Sequence, residues 1–298
     1  MKKWQKLQDN LYKEWLKLVV RSVQKINQKY INSVVKKALN EDLKPTGDIT
    51  TKLIKNGNKK IKAQIIAKQD GIIAGINFCK QAFKLVGKET VFKSQVKDGK
   101  LIKKNKIIAE ILANTKTILA AERTALNFLN HASGIATTTN NFVKKVSKKT
   151  KICCTRKTTP NLRILEKYAV KKGGGFNHRF NLSDEVLIKE NHIKASKDIR
   201  KLVSKASKSK KKVTVEVESI DQLKKILGLN FKRVLFDNMN ISQLKKCLKL
   251  CVNRYETEYS GNATLKNIKQ LSKTGINRIS VGAITHSAET FDTSLLLR

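Results

Sequence analysis

Three short stretches decide the fold: KVTVEVES at 212–219, RVLFDN at 233–238 and RISVGA at 278–283. Each is an apolar run rich in β-branched residues that stops abruptly at a polar residue or a glycine. Outward from them, runs of the same kind recur at Ile152–Thr155, Val186–Lys189 and Tyr255–Tyr259. Stretches of helical period lie between most of them, at about 161–171, 197–207, 220–228, 241–251 and 264–274. Six strand–helix repeats imply parallel strands with right-handed crossovers, which leaves a doubly wound sheet or a barrel.

The residues that follow the runs choose between these two. They are Arg156-Lys157, Glu190-Asn191-His192, Glu218-Ser219, Asp237-Asn238, Ser260-Gly261-Asn262 and Gly282-Ala283. A barrel with its active site at the C-terminal face carries such chemistry at every strand end, whereas a doubly wound sheet concentrates it at one switch point. Ordinary polar loops would account for one or two of the six. The expectation is a TIM-like α/β barrel of parallel strands, open or incomplete, over 123–286.

The upstream part reads differently. Strand-like runs at 61–67, 72–76 and 106–112 are joined by the turn signals Gln69-Asp70-Gly71 and Lys97-Asp98-Gly99, with a helix near 77–86. This predicts an N-terminal α+β sandwich over 1–122, with the tail 287–298 a candidate to pack on it. A longer helical segment, roughly 117–146, joins the two parts. Its Ala132-Ser133-Gly134 interruption marks a break or a close packing contact.

Composition narrows the function. Lys+Arg outnumber Asp+Glu by 63 to 23, a formal charge of +40, while 40% hydrophobic residues suffice for packed cores and exclude a disordered basic tail. Ten of the cations are Arg and the rest are Lys, spread along the chain and thickened only at Lys208, Lys210, Lys211 and Lys212. Lys, Asn and Ile share A/T-rich codons, so compositional drift explains most of the excess. Aromatics are only 6% and no nucleic-acid recognition motif occurs, so no specific nucleic acid is expected, and a basic nucleic-acid-binding protein on an enzyme scaffold is the weaker alternative.

Met1–Val20 is interrupted by Lys every few positions and has no h-region of a signal peptide. The longest uncharged run, Thr124 to Val143, holds four Asn and a His, so no membrane span is expected. Cys79, Cys153, Cys154, Cys247 and Cys251 form no zinc pattern and read as buried thiols of a reduced, cytoplasmic protein.

Against so much Lys, the retained Arg mark positions where a rigid bidentate donor is needed, and Arg123, Arg156, Arg163 and Arg179 cluster in sequence. Arg163 reads as an ordinary helix-face residue. Gly173-Gly174-Gly175 leads to His178 and Arg179, as where a backbone passes close to a ligand and aims donors at it.

The runs AERTALNFLNHASGIAT (121–137), TRKTTPNLR (155–163), KYAVKKGGGFNHR (167–179), LIKENHI (187–193), VEVES (215–219), FDNM (236–239), SGNAT (260–264) and RISVGAITHSA (278–288) together resemble the quinolinate phosphoribosyltransferase family, also called carboxylating nicotinate-nucleotide pyrophosphorylases. ALNEDLKPTGDITT (38–51) is similar to that family's N-terminal motif. The resemblance implies phosphoribosyl transfer from 5-phosphoribosyl 1-pyrophosphate (PRPP) to quinolinate, giving nicotinate mononucleotide, carbon dioxide and pyrophosphate, with Mg²⁺, in NAD synthesis. It also implies a homo-oligomer, a dimer or a hexamer of dimers, whose active site is shared between subunits. A nicotinate phosphoribosyltransferase is the enzyme alternative.

By the same resemblance, Arg156, Lys157, His178 and Arg179 hold the quinolinate carboxylates, with Arg123 arriving from the other subunit. Lys189 reaches the phosphoribosyl or pyrophosphate side. Glu216 and Asp237 face the ribose and are the candidate metal ligands, with Lys157 and Lys189 counted beside them as catalytic. Ser260, Gly261, Asn262, Gly282 and Ala283 receive the 5′-phosphate. Strand alternation alone leaves Glu216 and Glu218 on one face, so it cannot choose between them. Two positions depart from the family pattern: Cys154 where Asp is usual, and Asn161 where Gly is usual.

Overall fold

A computed structural model describes residues 26–298; the absence of a leader read from Met1–Val20, and the start of the 1–122 segment, lie outside the described residues. The chain divides into two compact units. Of the described residues, one takes in 26–140 together with 159–174 and 288–298; the other is made of 141–158 and 175–287. This differs from a division at 122/123, because most of the long helix and the segment after TRKT pack with the first unit.

In the first unit, α1 (Gln28–Leu43) starts at Asn27, whose side chain accepts the Lys29 N–H, and it buries Ile31, Val35 and Leu39, four residues apart. A four-residue turn, α2 (Ile49–Lys52), is capped by Asp48. β1 (Lys60–Ala67) lies between β5 (Ile107–Asn114) and β12 (Thr293–Leu297), and β3 (Val91–Ser94) flanks β5, all antiparallel. Alternation buries Ala63, Ile65 and Ala67 on one face of β1. The tail thus pairs with the first strand of the sandwich.

The run expected at 72–76 contracts to β2 (Gly71–Ile72), which pairs with β4 (Leu101–Ile102). α3 (Ile76–Val86) begins directly after it, at Gly75 with φ 93°. β3 leaves no signal in the sequence because it lies at the sheet edge with little burial and no alternation.

α4 (Thr115–Val143) is continuous through Ala132-Ser133-Gly134, so that signal marks a close approach and not a break. Ser133 Oγ accepts the Ala74 N–H at 3.0 Å, and Phe291 N–H donates to Asn130 O at 3.1 Å. A Cβ on Gly134 would lie 2.2 Å from the Glu289 carbonyl oxygen. Backbone cannot move aside as a flexible side chain can, so Gly134→Ala is expected to destabilise the protein by about 1–3 kcal/mol or more, read as a lower urea midpoint at unchanged slope. α5 (Arg163–Lys172) is buried from Ile164 to Val170, Glu166 and Lys167 included, and Tyr168 Oη donates to Asp98 Oδ2 at 2.6 Å.

The second unit is built on six parallel strands: β6 (Lys151–Cys153), β7 (Val186–Ile188), β8 (Val213–Val217), β9 (Arg233–Asp237), β10 (Glu256–Ser260) and β11 (Arg278–Ser280). Their order across the sheet is β6-β11-β10-β9-β8-β7. From β7 the chain advances one neighbour at a time and β11 closes on β6, which is the order of a barrel opened between β6 and β7. The expected open α/β barrel is therefore the architecture. β8 is buried at all five positions, as strands covered on both faces are.

α5 separates β6 from β7; α6 (Glu190–Ser196), α7 (Ile199–Ser207), α8 (Ile220–Ile226), α9 (Ile241–Cys251) and α10 (Ile268–Ser272) lie between the strands from β7 to β11, and α11 (Ala283–His286) follows β11. Some strand-end polar residues turn out to be helix caps. Ser219 accepts the Gln222 N–H, and Asn240 forms a capping box with Gln243.

Candidate active site

Each strand of the open barrel runs into a short loop at its C-terminal end, and those loops surround a cavity of about 710 Å³ within the second unit. Arg156 and Lys157 after β6, His178 and Arg179 before β7, and Lys189 after it form one part of the lining. Glu216 on β8 and Asp237 on β9 form another. Ser260, Gly261 and Asn262 at and after the end of β10, with Gly282 and Ala283 after β11, complete it. Every expected site residue except Arg123 is therefore gathered in one place. Arg123 is exposed on α4 in the first unit, where it lines a different cavity with Asp42 and His131.

The cationic part sets one guanidinium under pressure from its surroundings. Burial, and then the nearby Arg156 charge, hold Arg179 below the usual arginine range. Its Nη1 donates to Glu185 O at 3.2 Å, and its backbone N–H donates to His178 Nδ1 at 2.8 Å. The Lys157 N–H donates to Thr155 Oγ1, and its carbonyl accepts the Thr285 hydroxyl at 2.6 Å, so the loop is held while the side chain stays exposed. Like charges set side by side in a concave site favour an anion between them.

The acidic part resolves the ambiguity between two glutamates. Glu216 is 5% exposed and lines the cavity; Glu218 lies beyond the end of β8, is exposed, and its N–H donates to Gln222 Oε1. Burial raises the Glu216 carboxyl to about 7, and a hydrogen bond to Glu190 and the charge of Asp237 act the same way, while Lys189 opposes them. Lys189 Nζ lies 3.4 Å from Glu216 Oε2. Glu190, at the start of α6, is held below the usual range chiefly by that hydrogen bond from Glu216. Sequence alone marks Glu190 only as a strand-end residue, and its place beside the motif lysine is the one signal of this partnership.

This sets a pH dependence. The raised carboxyl contributes stability that is fully present below its unfolded value of ~4.3 and is lost as pH rises through about 7. If this carboxylate serves to stabilise a developing cation, activity runs the opposite way, because only the ionised form carries negative charge. We expect kcat/KM to fall as pH drops below about 7, with that limb absent in Glu216→Gln; a profile unchanged by the substitution would contradict it.

The remaining loops supply backbone. Gly261 has φ 112°, and a Cβ there would lie 2.1 Å from Asn238 Oδ1, so only glycine fits. Asn238 and Asn262 are also left-handed, at φ 51° and 39°. Asn238 Nδ2 donates to Asp237 Oδ2 at 3.0 Å and holds that carboxylate.

Among the described residues no group of three or more His, Cys, Asp or Glu could hold a metal ion. Glu216 and Asp237 offer two carboxylates to one cavity, a set that would hold a divalent cation only with further ligands from outside the protein. All five cysteines are buried free thiols, and no helix among the described residues is long and apolar enough to cross a membrane.

Both departures from the family pattern have structural counterparts. The Cys154 thiol donates to Asn177 Oδ1 at 3.3 Å, keeping a tie to the loop before His178. Asn161 has φ 65°, a conformation that Gly adopts freely and Asn tolerates.

Arginine scarcity misleads in one respect. Arg233 and Arg278, at the starts of β9 and β11, are buried with Glu256 and Glu258 of β10. They form an internal ion network with no mark in the sequence, because only strand register brings the four together.

An open parallel barrel with cations, the buried Glu216 and the half-buried Asp237 facing one cavity at its strand C-termini fits an enzyme acting on a polyanionic substrate. Residues 48–133 and 135–296 match the N-terminal and C-terminal domains, respectively, of the family described as quinolinate phosphoribosyl transferase. The chain is 39% identical, over 88% of its length and 92% of the relative's, to the probable nicotinate-nucleotide pyrophosphorylase (carboxylating) of Bacillus subtilis (strain 168). It is 35% identical to the chloroplastic nicotinate-nucleotide pyrophosphorylase (carboxylating) of Arabidopsis thaliana, over 89% of this chain and 82% of that one. The solved nicotinate-nucleotide pyrophosphorylase of Francisella tularensis superposes with a TM-score of 0.88 at 37% identity, covering 93% of this chain and 99% of that one. The chain belongs to the quinolinate phosphoribosyl transferase family.

Proposed function

We propose that the protein transfers the phosphoribosyl group of PRPP to the ring nitrogen of quinolinate, and that loss of carbon dioxide then yields nicotinate mononucleotide and pyrophosphate. The observation that carries this is the pairing, in one cavity, of the Arg156–Lys157–Arg179 group with the Glu216–Asp237 carboxylates. Two adjacent substrate carboxylates need several charge-assisted donors at once. A nicotinate enzyme would face one carboxylate and leave part of that cationic group uncompensated.

Displacement at the ribose carbon builds positive charge on the sugar, which Glu216 and Asp237 stabilise from one side. Lys189, beside Glu216, neutralises the departing pyrophosphate. The backbone of Ser260-Gly261-Asn262 and Gly282-Ala283 receives the 5′-phosphate. Glu216 and Asp237 would hold Mg²⁺, which would supply charge neutralisation to the pyrophosphate. The ring nitrogen becomes cationic on bond formation; the C2–carboxylate bond then breaks, its electron pair stays on C2 stabilised by that cation, and C2 takes a proton from water as carbon dioxide leaves.

The protein works in the cytoplasm as a dimer or a multiple of one, with Arg123 of each copy completing the cationic group of another. Purified protein incubated with quinolinate, PRPP and Mg²⁺ should release nicotinate mononucleotide and pyrophosphate in equal amounts. No turnover above blank would sink the reading.

A further inference from the structure

We propose that Glu258 is a positioning residue for the quinolinate-binding side of the cavity, and that it holds His178 as a neutral imidazole protonated on Nε2. This assignment rests on the quinolinate reading and gives His178 a different part from that of a cationic carboxylate ligand.

Glu258 lies on β10 with 0% exposure. Its Oε2 accepts from Arg278 Nε at 3.2 Å and lies 3.3 Å from Arg233 Nη1. Its Oε1 accepts the Ser280 hydroxyl and faces His178 Nε2 at 3.4 Å. On the other side of the ring, Nδ1 accepts the Arg179 backbone N–H at 2.8 Å. A ring nitrogen that accepts from a backbone N–H presents its lone pair there, since a proton on it would meet the amide hydrogen head-on. The ring's one proton then sits on Nε2, the atom that faces the carboxylate.

The consequence reaches the cavity through Arg179. Its backbone is tied to His178 Nδ1 and its guanidinium to the Glu185 carbonyl, so both ends are fixed. The segment before it is held as well, because Phe176 N–H donates to Ile152 O at 2.7 Å. Glu258 thereby sets the ring, the ring sets the Arg179 backbone, and Arg179 with Arg156 and Lys157 meets the substrate carboxylates. PRPP binds to other loops, so the effect is confined to one substrate.

The test uses the full chain, ¹⁵N-labelled. It has only four histidines, so the His178 signals are those that vanish in His178→Gln. A long-range ¹H–¹⁵N spectrum at pH 7 should show a protonated Nε2 and an unprotonated Nδ1; a proton on Nδ1, or on both nitrogens, overturns the proposal. In Glu258→Gln, the KM for quinolinate should rise about tenfold or more while that for PRPP stays within about threefold. No rise, or an equal rise for both substrates, overturns it. Should Glu258→Gln fail to fold, the tautomer of the unsubstituted protein decides alone. Absence of turnover in the unsubstituted protein would end the quinolinate reading, and the spectrum would still decide how Glu258 holds His178.

Discussion

Arg156→Ala is expected to lower kcat/KM for quinolinate by about 10²–10³-fold, because removing a charge-assisted hydrogen bond from a desolvated site costs about 3–4 kcal/mol. The site explains why so much should rest on one side chain. Arg156 lines the cavity next to Arg179, close enough for its charge to depress that guanidinium. Quinolinate would bring two carboxylates to these cations, and removing one cation leaves a substrate charge buried without its donor. Arg156→Lys restores charge without the planar fork and should recover only part of the activity. Steady-state kinetics with each substrate varied in turn gives the answer, and a decrease below about tenfold would remove Arg156 from the binding machinery.

Mixing Arg123→Ala with Arg156→Ala should restore activity that neither variant has alone. Arg123 is exposed on α4 in the first unit and lies outside the cavity that holds the other expected residues. If each cavity is completed by Arg123 of another copy, a mixed dimer carries one doubly defective site and one native site. Random exchange at equal amounts then gives about a quarter of the native sites, following from two-fold symmetry. Subunit exchange is followed with a tagged partner, and its occurrence without recovered turnover would place Arg123 outside the shared site.

Much of the candidate site, as a set of residues lining one cavity, was legible because it sits at strand ends. Lys189, Asp237, Ser260 and Gly282 each fall within two residues of the end of a strand, Arg156 falls three beyond one, and in a parallel barrel all such ends lie on one face. Buried partners left a weaker trace. Glu258 sits inside the ETEYS strand with nothing local to show that it faces Arg278 of β11 and Arg233 of β9. Strand alternation could not separate Glu216 from Glu218 and only the resemblance chose Glu216; β8 ends at Val217, which leaves Glu218 outside the strand. Ser219 stands just after β8 as the site residues stand after their strands, and proves to cap a helix, since both uses require a polar side chain just after a strand.

The sequence by itself determined the six-strand repeat, the sandwich before it, the face on which the chemistry gathers and the kind of anion that the arginines suit. These follow from periodicity and from residues adjacent along the chain. The tertiary structure alone decided that α4 runs unbroken past Gly134, that the segment holding α5 packs with the first unit, and that Arg233 and Arg278 serve the barrel interior. The physical reason is that strand register and close backbone approach are relations between distant segments, and a single chain carries no local mark of them.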